Sequence, residues 1–183
     1  MPRLIMISGN SGVGKTYIIN NFNLLSENVQ VVQKKTTRSA RTYEQKDKTA
    51  ELIFDTPIDE IQKMDFHYRY REHSYGFNRS DIDEVFARGL SPILVVRRVD
   101  CLRQLKSIYR SFSILVKVED QCSIYKTLNK YGCCSTEIQQ RTNLEYEWEL
   151  EKEYEGNIDV FDCIVYNSYS NRFILDINNK LNS

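Results

Sequence analysis

No apolar run in these 183 residues approaches the roughly 18 needed to cross a bilayer, so a membrane-spanning helix is not expected. The chain passes from Met1 straight into Leu4-Ile5-Met6-Ile7 without a secretory leader, and the expected location is the cytoplasm. Five cysteines (Cys101, Cys122, Cys133, Cys134, Cys163) contain no C-x-x-C pair, which removes zinc-site spacing. An odd number of thiols in an intracellular protein is expected to stay reduced, as packing or surface residues, with the adjacent Cys133-Cys134 the most open to oxidation. The only two histidines, His67 and His73, have no cysteine or serine nucleophile paired with them. Formal net charge is zero and no nucleic-acid reading motif is present, which argues against a nucleic-acid partner. Repeats and low-complexity segments are also missing.

What is there is an ordinary globular composition, 41% hydrophobic and 27% charged, of a length suited to one domain, monomeric or homodimeric. The charge is unevenly spread. Residues 1–110 hold 18 Lys+Arg and 13 Asp+Glu, giving +5, and residues 111–183 hold 7 and 12, giving −5. Basic residues gather at Lys34, Lys35, Arg38 and Arg41, at Arg69, Arg71 and Arg79, and at Arg97 and Arg98, so a small phosphorylated substrate is the expected partner.

The stretch around which the chain is organised is Gly9-Asn10-Ser11-Gly12-Val13-Gly14-Lys15-Thr16, a full match to the phosphate-binding pattern G-x-x-x-x-G-K-[ST]. It follows a short apolar strand and precedes apolar residues at helical spacing, the context that its mechanism needs. Glycines let the backbone curl into a nest of N–H groups, and the next helix adds its N-terminal partial charge. The motif predicts ATP binding, with Lys15 on the β- and γ-phosphates and the Thr16 hydroxyl on Mg²⁺.

Periodicity predicts core strands at Leu4–Ile7, Val29–Gln33, Pro92–Val96, Ser113–Val118 and Cys163–Tyr166, separated by helices, hence a parallel doubly wound α/β sheet. Residues 42–50 read as a loop. Leu52–Phe54, Ile58–Met64 and the alternating Phe66–Tyr70 suggest a smaller α+β insertion, followed by a helix capped by Ser80 and stopped at Gly89. A helix-favouring polar stretch, 120–156, breaks at Gly132, and an amphipathic helix with Phe173, Ile174, Ile177 and Leu181 closes the chain. The expected division is one domain, 1–183, with a core of 1–34, 91–119 and 157–183, an acceptor-binding insertion of 35–90 and a helical lid of about 120–156.

Four further segments carry a resemblance. Thr36-Thr37-Arg38-Ser39-Ala40-Arg41-Thr42-Tyr43-Glu44, Tyr75-Gly76, Ile138-Gln139-Gln140-Arg141 and Phe161-Asp162-Cys163-Ile164-Val165-Tyr166-Asn167 come in the order and near the spacing seen in guanylate kinases, which the whole chain resembles. The resemblance implies a P-loop kinase that moves the γ-phosphoryl group of ATP, with Mg²⁺, to a nucleoside monophosphate such as GMP. It further implies that Arg38, Arg41 and Tyr75 hold the acceptor phosphate and that Arg141 reaches in from the lid as a catalytic arginine beside Lys15.

The departures from that pattern fall in the acceptor pocket. The family reads guanine with carboxylates, one of them in a strand-end sequence like L-D-I-D; here that segment is Leu94-Val95-Val96-Arg97. Arg97 donates hydrogen bonds and accepts none, so it is expected to bind the acceptor through phosphate or carbonyl oxygens. No acid lies at the family's spacing before Tyr75, and no second lid arginine occurs near Tyr131. Two alternatives follow: a kinase for a phosphosugar or an unusual nucleotide, similar to ribose 1,5-bisphosphate phosphokinase, or an inactive relative that binds a protein.

Overall fold

The computed structural model describes residues 1–25, 28–41, 44, 51–130, 132–133, 135–142, 144–169 and 172–182, with the side chains of 22–25, 121–123, 137, 140, 141, 144 and 182 outside that description. A five-stranded parallel sheet forms the centre, built from β1 (Leu4–Ser8), β2 (Val29–Val31), β7 (Ser91–Val95), β8 (Ser111–Lys117) and β9 (Cys163–Tyr166) in the order β2-β7-β1-β8-β9. These are the five core strands that the apolar runs predict. Strand β1 is covered on both faces, which is why its residues read as a continuous apolar run. Leu4 and Met6 join one core with Leu94, Leu115 and the helices α4 (Val99–Ile108) and α7 (Leu144–Glu155). Ile5 and Ile7 point the other way, to Ile18 and Ile19 of α1 (Lys15–Leu25) and Phe173 and Ile177 of α8 (Arg172–Asn182). Each such side chain taken from water contributes about 1.5–3 kcal/mol, and the period-2 alternation shares that gain between two layers of helix.

A second, four-stranded sheet has the order β4-β3-β6-β5, formed by β3 (Lys34–Thr36), β4 (Leu52–Ile53), β5 (Phe66–Tyr70) and β6 (His73–Phe77). Strand β5 has the expected alternation, Phe66 and Tyr68 buried, His67 and Arg69 exposed. Strands β3 and β6 are absent from the sequence expectation. The first is three residues long with two lysines, and the second has only Tyr75 and Phe77 in alternation around Gly76, too short a period to mark a strand by itself. Pairing decides both: β5 and β6 form a hairpin in register Tyr70↔His73 and Tyr68↔Tyr75, closed by Arg71-Glu72 with Arg71 at φ +55°, and β6 then pairs antiparallel with β3. Short α2 (Ile58–Ile61) packs on this sheet through Ile61, close beside Gly76.

The helix α3 (Arg79–Ala87) is capped by Asn78, not by Ser80. The reason is local: Asp81 stands three residues after Asn78 and accepts the hydrogen bond from its backbone N–H at 3.0 Å. Asp83, which would have served Ser80, is taken by the Tyr109 hydroxyl at 2.8 Å and by Arg79. The region after β8 carries α5 (Gln121–Lys130), α6 (Ser135–Arg141) and α7, with Gly132 at φ +72° in the break between α5 and α6. Most of the expected loop 42–50 lies outside the described residues.

Candidate active site

The phosphate-binding loop joins the end of β1 to the start of α1, at the carboxyl edge of the parallel sheet where open α/β folds bind ligands. Its glycines are needed for space as well as for conformation. At Gly9, φ is +139° and a Cβ would stand 2.4 Å from the Val116 carbonyl oxygen. At Gly14, φ is +96° and a Cβ would stand 2.4 Å from Asn167 Nδ2, which donates to the Val13 carbonyl at 2.9 Å and ties the loop to the end of β9. Lys15 is buried and donates from Nζ to the carbonyl oxygens of Gly9, at 2.8 Å, and Asn10. Burial pushes its pKa well down, and the nearby Arg97 charge adds to this. An incoming triphosphate would satisfy this ammonium better than carbonyl dipoles do.

One member of the loop's ring of amides already has an anionic partner. The Ser11 N–H donates to Glu147 Oε2 at 2.8 Å, and the other oxygen of this α7 carboxylate accepts from the Tyr70 hydroxyl at 2.8 Å and from Arg71. Asn10 Nδ2 also reaches the Glu147 carbonyl and Glu151 Oε2, both at 3.2 Å. Thus α7 and the β5–β6 turn close over the loop through one side chain. Beside it, a cleft of about 600 Å³ opens between Val13, Val116, Ile124 and Trp148, large enough for a small-molecule ligand.

The other side of the loop meets the second sheet. Thr16 Oγ1 donates to Glu51 Oε2 at 3.3 Å; Glu51 pairs with Lys34 at 3.5 Å, and Lys34 Nζ donates to the Val95 carbonyl at 2.6 Å. Burial lowers the Lys34 pKa to about 8 against the pull of Glu51. A hydroxyl and a carboxylate in contact form the oxygen donor set that Mg²⁺ accepts, with phosphate and water completing its shell. Among the described residues no cluster of three or more His, Cys, Asp or Glu offers an all-protein metal cage.

Arg97 follows the end of β7 and lies between these two contacts. Its guanidinium packs 4.3 Å from the centre of the Tyr70 ring, Tyr154 donates to its backbone carbonyl at 2.9 Å, and its charge acts on Lys15, Lys34 and Tyr68. Burial opposes that charge, but Tyr70, Tyr75 and Glu147 outweigh it and raise the Arg97 pKa, so the group stays protonated at every accessible pH. Tyr75 stacks on Tyr68 at 5.5 Å, and the Lys34 ammonium lies 5.7 Å from its ring.

Arg38 and Arg41 follow β3. Arg38 forms a two-pronged pair with Glu44, Nη1 to Oε2 at 2.7 Å and Nη2 to Oε1 at 2.9 Å, while Arg41 lies 3.6 Å from the same carboxylate and donates its N–H to it at 2.9 Å. Burial works against the Glu44 charge; the Arg38 bonds and charge prevail and hold its pKa below the usual carboxylate value. The arginine pair is therefore set by one carboxylate, with the guanidinium of Arg38 packed against Phe54.

Of the residues expected from the sequence, the loop 9–16, Arg97 and Tyr75 meet around the joint between the two sheets, and Arg38 and Arg41 sit on the second sheet's loop. Arg141 ends α6, and its side chain is outside the described set, as is Tyr131. Two contributors escaped sequence reasoning. Glu51 could have been suspected as an acid placed ahead of the apolar Leu52–Phe54, whereas nothing in the acidic run of α7 separates Glu147 from its neighbours.

The guanylate kinase family model matches residues 1–183. The fold is similar to that of guanylate kinase from Anaplasma phagocytophilum, with a TM-score of 0.67 at 17% identity over 99% of this chain and 85% of that one. No curated protein matches the chain in sequence. The family model spans the whole chain, and the chain belongs to the guanylate kinase family of kinases.

Proposed function

We propose that the protein transfers the γ-phosphoryl group of ATP to a phosphate oxygen of a small acceptor, nominally a nucleoside monophosphate such as GMP. The observation that carries this reading is the joint, where the loop's amides and Lys15 meet Arg97 and the Tyr68–Tyr75 face of the second sheet. In this mechanism the amides of the loop hold the triphosphate, and Lys15 turns from the Gly9 and Asn10 carbonyls to its terminal oxygens. Thr16 and Glu51 would hold Mg²⁺, which supplies neutralisation of charge across the β- and γ-phosphates. Arg38, Arg41 and Tyr75 orient the acceptor phosphate, and Arg141 arrives from α6 to neutralise charge at transfer. An acceptor phosphate oxygen, already deprotonated, attacks the γ-phosphorus, the bond to the β–γ bridging oxygen breaks, and ADP leaves with that electron pair. Positioning and charge do the catalysis, with no covalent intermediate.

A phosphosugar acceptor is the second reading, favoured by Arg97 where the family has a base-reading acid. ADP release measured with ATP and Mg²⁺ across GMP, dGMP, other monophosphates and ribose phosphates is expected to identify at least one acceptor. Calorimetry showing that the protein fails to bind ATP would remove the phosphotransferase reading altogether.

A further inference from the structure

The Glu147 carboxylate is held by donors from two elements far from it in sequence. One oxygen accepts from the Ser11 N–H of the phosphate loop at 2.8 Å, and the other accepts from the Tyr70 hydroxyl at 2.8 Å and from the Arg71 guanidinium. Such donors meet a carboxylate and a phosphoryl group in the same way, as negative charge shared between oxygens, and the guanidinium fork fits both. The Ser11 amide also belongs to the ring that holds the triphosphate in the reading above. A side chain of the protein therefore lies where a phosphoryl oxygen would lie, with Arg71 already against it.

Three observations fix Arg71 at this point. Its side chain and that of Glu147 are only 16% and 11% exposed, and a cation so far removed from water needs an anion beside it. The guanidinium also packs 5.4 Å from the centre of the Tyr70 ring and 5.9 Å from that of Tyr146, contacts that do not depend on the carboxylate. Finally, Arg71 has φ +55° in the two-residue turn between β5 and β6, where glycine or asparagine is the usual choice. An arginine in that conformation is strained, so the position is kept for its side chain.

Resting on the phosphotransferase reading above, we propose that Arg71 is a catalytic residue, which binds the γ-phosphoryl group during transfer, and that Glu147 holds its place until a triphosphate arrives. ATP takes the Ser11 amide, like charge expels the carboxylate, and Arg71 and the Tyr70 hydroxyl turn to the newcomer. As an acceptor oxygen bonds to the γ-phosphorus, the bond to the β–γ bridging oxygen breaks and ADP leaves with the electron pair. Arg71 keeps its protons throughout and donates hydrogen bonds to the equatorial oxygens, where charge builds. Lys15 grips the group in flight from the donor's side and Arg71 from the acceptor's.

The test needs no known acceptor. Calorimetry on the full chain compares ADP and Mg²⁺ alone with ADP, Mg²⁺ and aluminium fluoride, a mimic of the phosphoryl group in transit. The wild type is expected to bind the fluoride complex about 100-fold more tightly than ADP, the worth of donors aimed at developing charge. Arg71→Gly, which suits the φ of the turn, is expected to lose most of that margin with the Kd for ADP unchanged. Should the uncompensated Glu147 prevent folding, Arg71→Gly combined with Glu147→Gln, judged against Glu147→Gln alone, is expected to show the same loss. A margin that survives removal of Arg71, an equal loss of affinity for ADP, or a wild type without a margin would each overturn the proposal. A wild type that binds neither ADP nor ATP fails the underlying reading instead, an outcome seen before fluoride is added.

Discussion

The parallel sheet and the joint beside it are built on opposite principles. In β1, β7 and β8 the buried side chains are mostly apolar, with Leu4, Met6, Ile7, Ile93, Leu94, Ile114 and Leu115 fully excluded from water and Ser8 and Ser113 the polar exceptions. The joint buries Lys15, Lys34, Glu51, Glu147 and most of Arg97, held by a chain of hydrogen bonds from Thr16 through Glu51 and Lys34 to the Val95 carbonyl. Apolar contacts are roughly interchangeable and stabilise in proportion to area, whereas desolvated charges are costly unless each finds its partner. The sheet therefore supplies stability, and the joint draws on it to hold groups ready for an anion.

The largest effect should come from removing the charge at the centre of the joint. Lys15→Ala is expected to lower kcat by about 1000-fold while the melting temperature stays level or rises, since a desolvated ammonium disappears. A lower melting temperature with near-normal turnover would mean that Lys15 belongs to the sheet's economy of stability. The converse change is Leu94→Ala, which leaves a cavity in the sheet and should cost about 3 kcal/mol in denaturant unfolding. The folded fraction of that variant should keep its ATP affinity, and a selective loss of affinity would blur the contrast.

Arg38→Gln tests whether the second-sheet loop follows the rule of the joint. Acceptor KM is expected to rise by roughly 10- to 100-fold, as for loss of a charge-assisted fork. Stability should change with pH in a specified direction. Arg38 holds the Glu44 pKa below its unfolded value, so the pair's stabilisation is present above that unfolded value, near 4.5, and is lost as pH falls through the lower folded one. Wild type should show this acid loss and Arg38→Gln should not; identical acid denaturation curves would contradict the coupling. Glu147→Gln is the smallest change. It keeps the shape of the Ser11 contact while removing a negative charge that ATP must meet or displace, and should tighten ATP binding about fivefold, on the order of 1 kcal/mol. Weaker binding would show that the carboxylate supports the nucleotide site.

How much of this was legible in the chain differs between the same two regions. The five core strands and the glycine loop are written locally: short apolar, β-branched runs favour strands, fully buried in the centre of the sheet and partly exposed at its edges β2 and β9, and the loop needs its glycines at fixed places. Strands β3 and β6 were not legible, because Lys34-Lys35-Thr36 and His73–Phe77 become strands only by pairing with each other and with β5. The cap of α3 was misplaced by two residues for the smaller reason that several polar residues competed for one role, and contacts with Arg79 and Tyr109 settled it. Glu51 and Glu147 reach the loop from 35 and 136 residues away in sequence, which no spacing rule could anticipate.

By itself the sequence determined the phosphate loop and the alternation of apolar strands with helices, because each depends on neighbours a few residues apart. Only the tertiary structure decided that Arg97, Lys15, Lys34 and the tyrosines of β5 and β6 share one desolvated space. Charges matter to one another through distance and dielectric, and both are fixed only when the second sheet folds against the edge of the first.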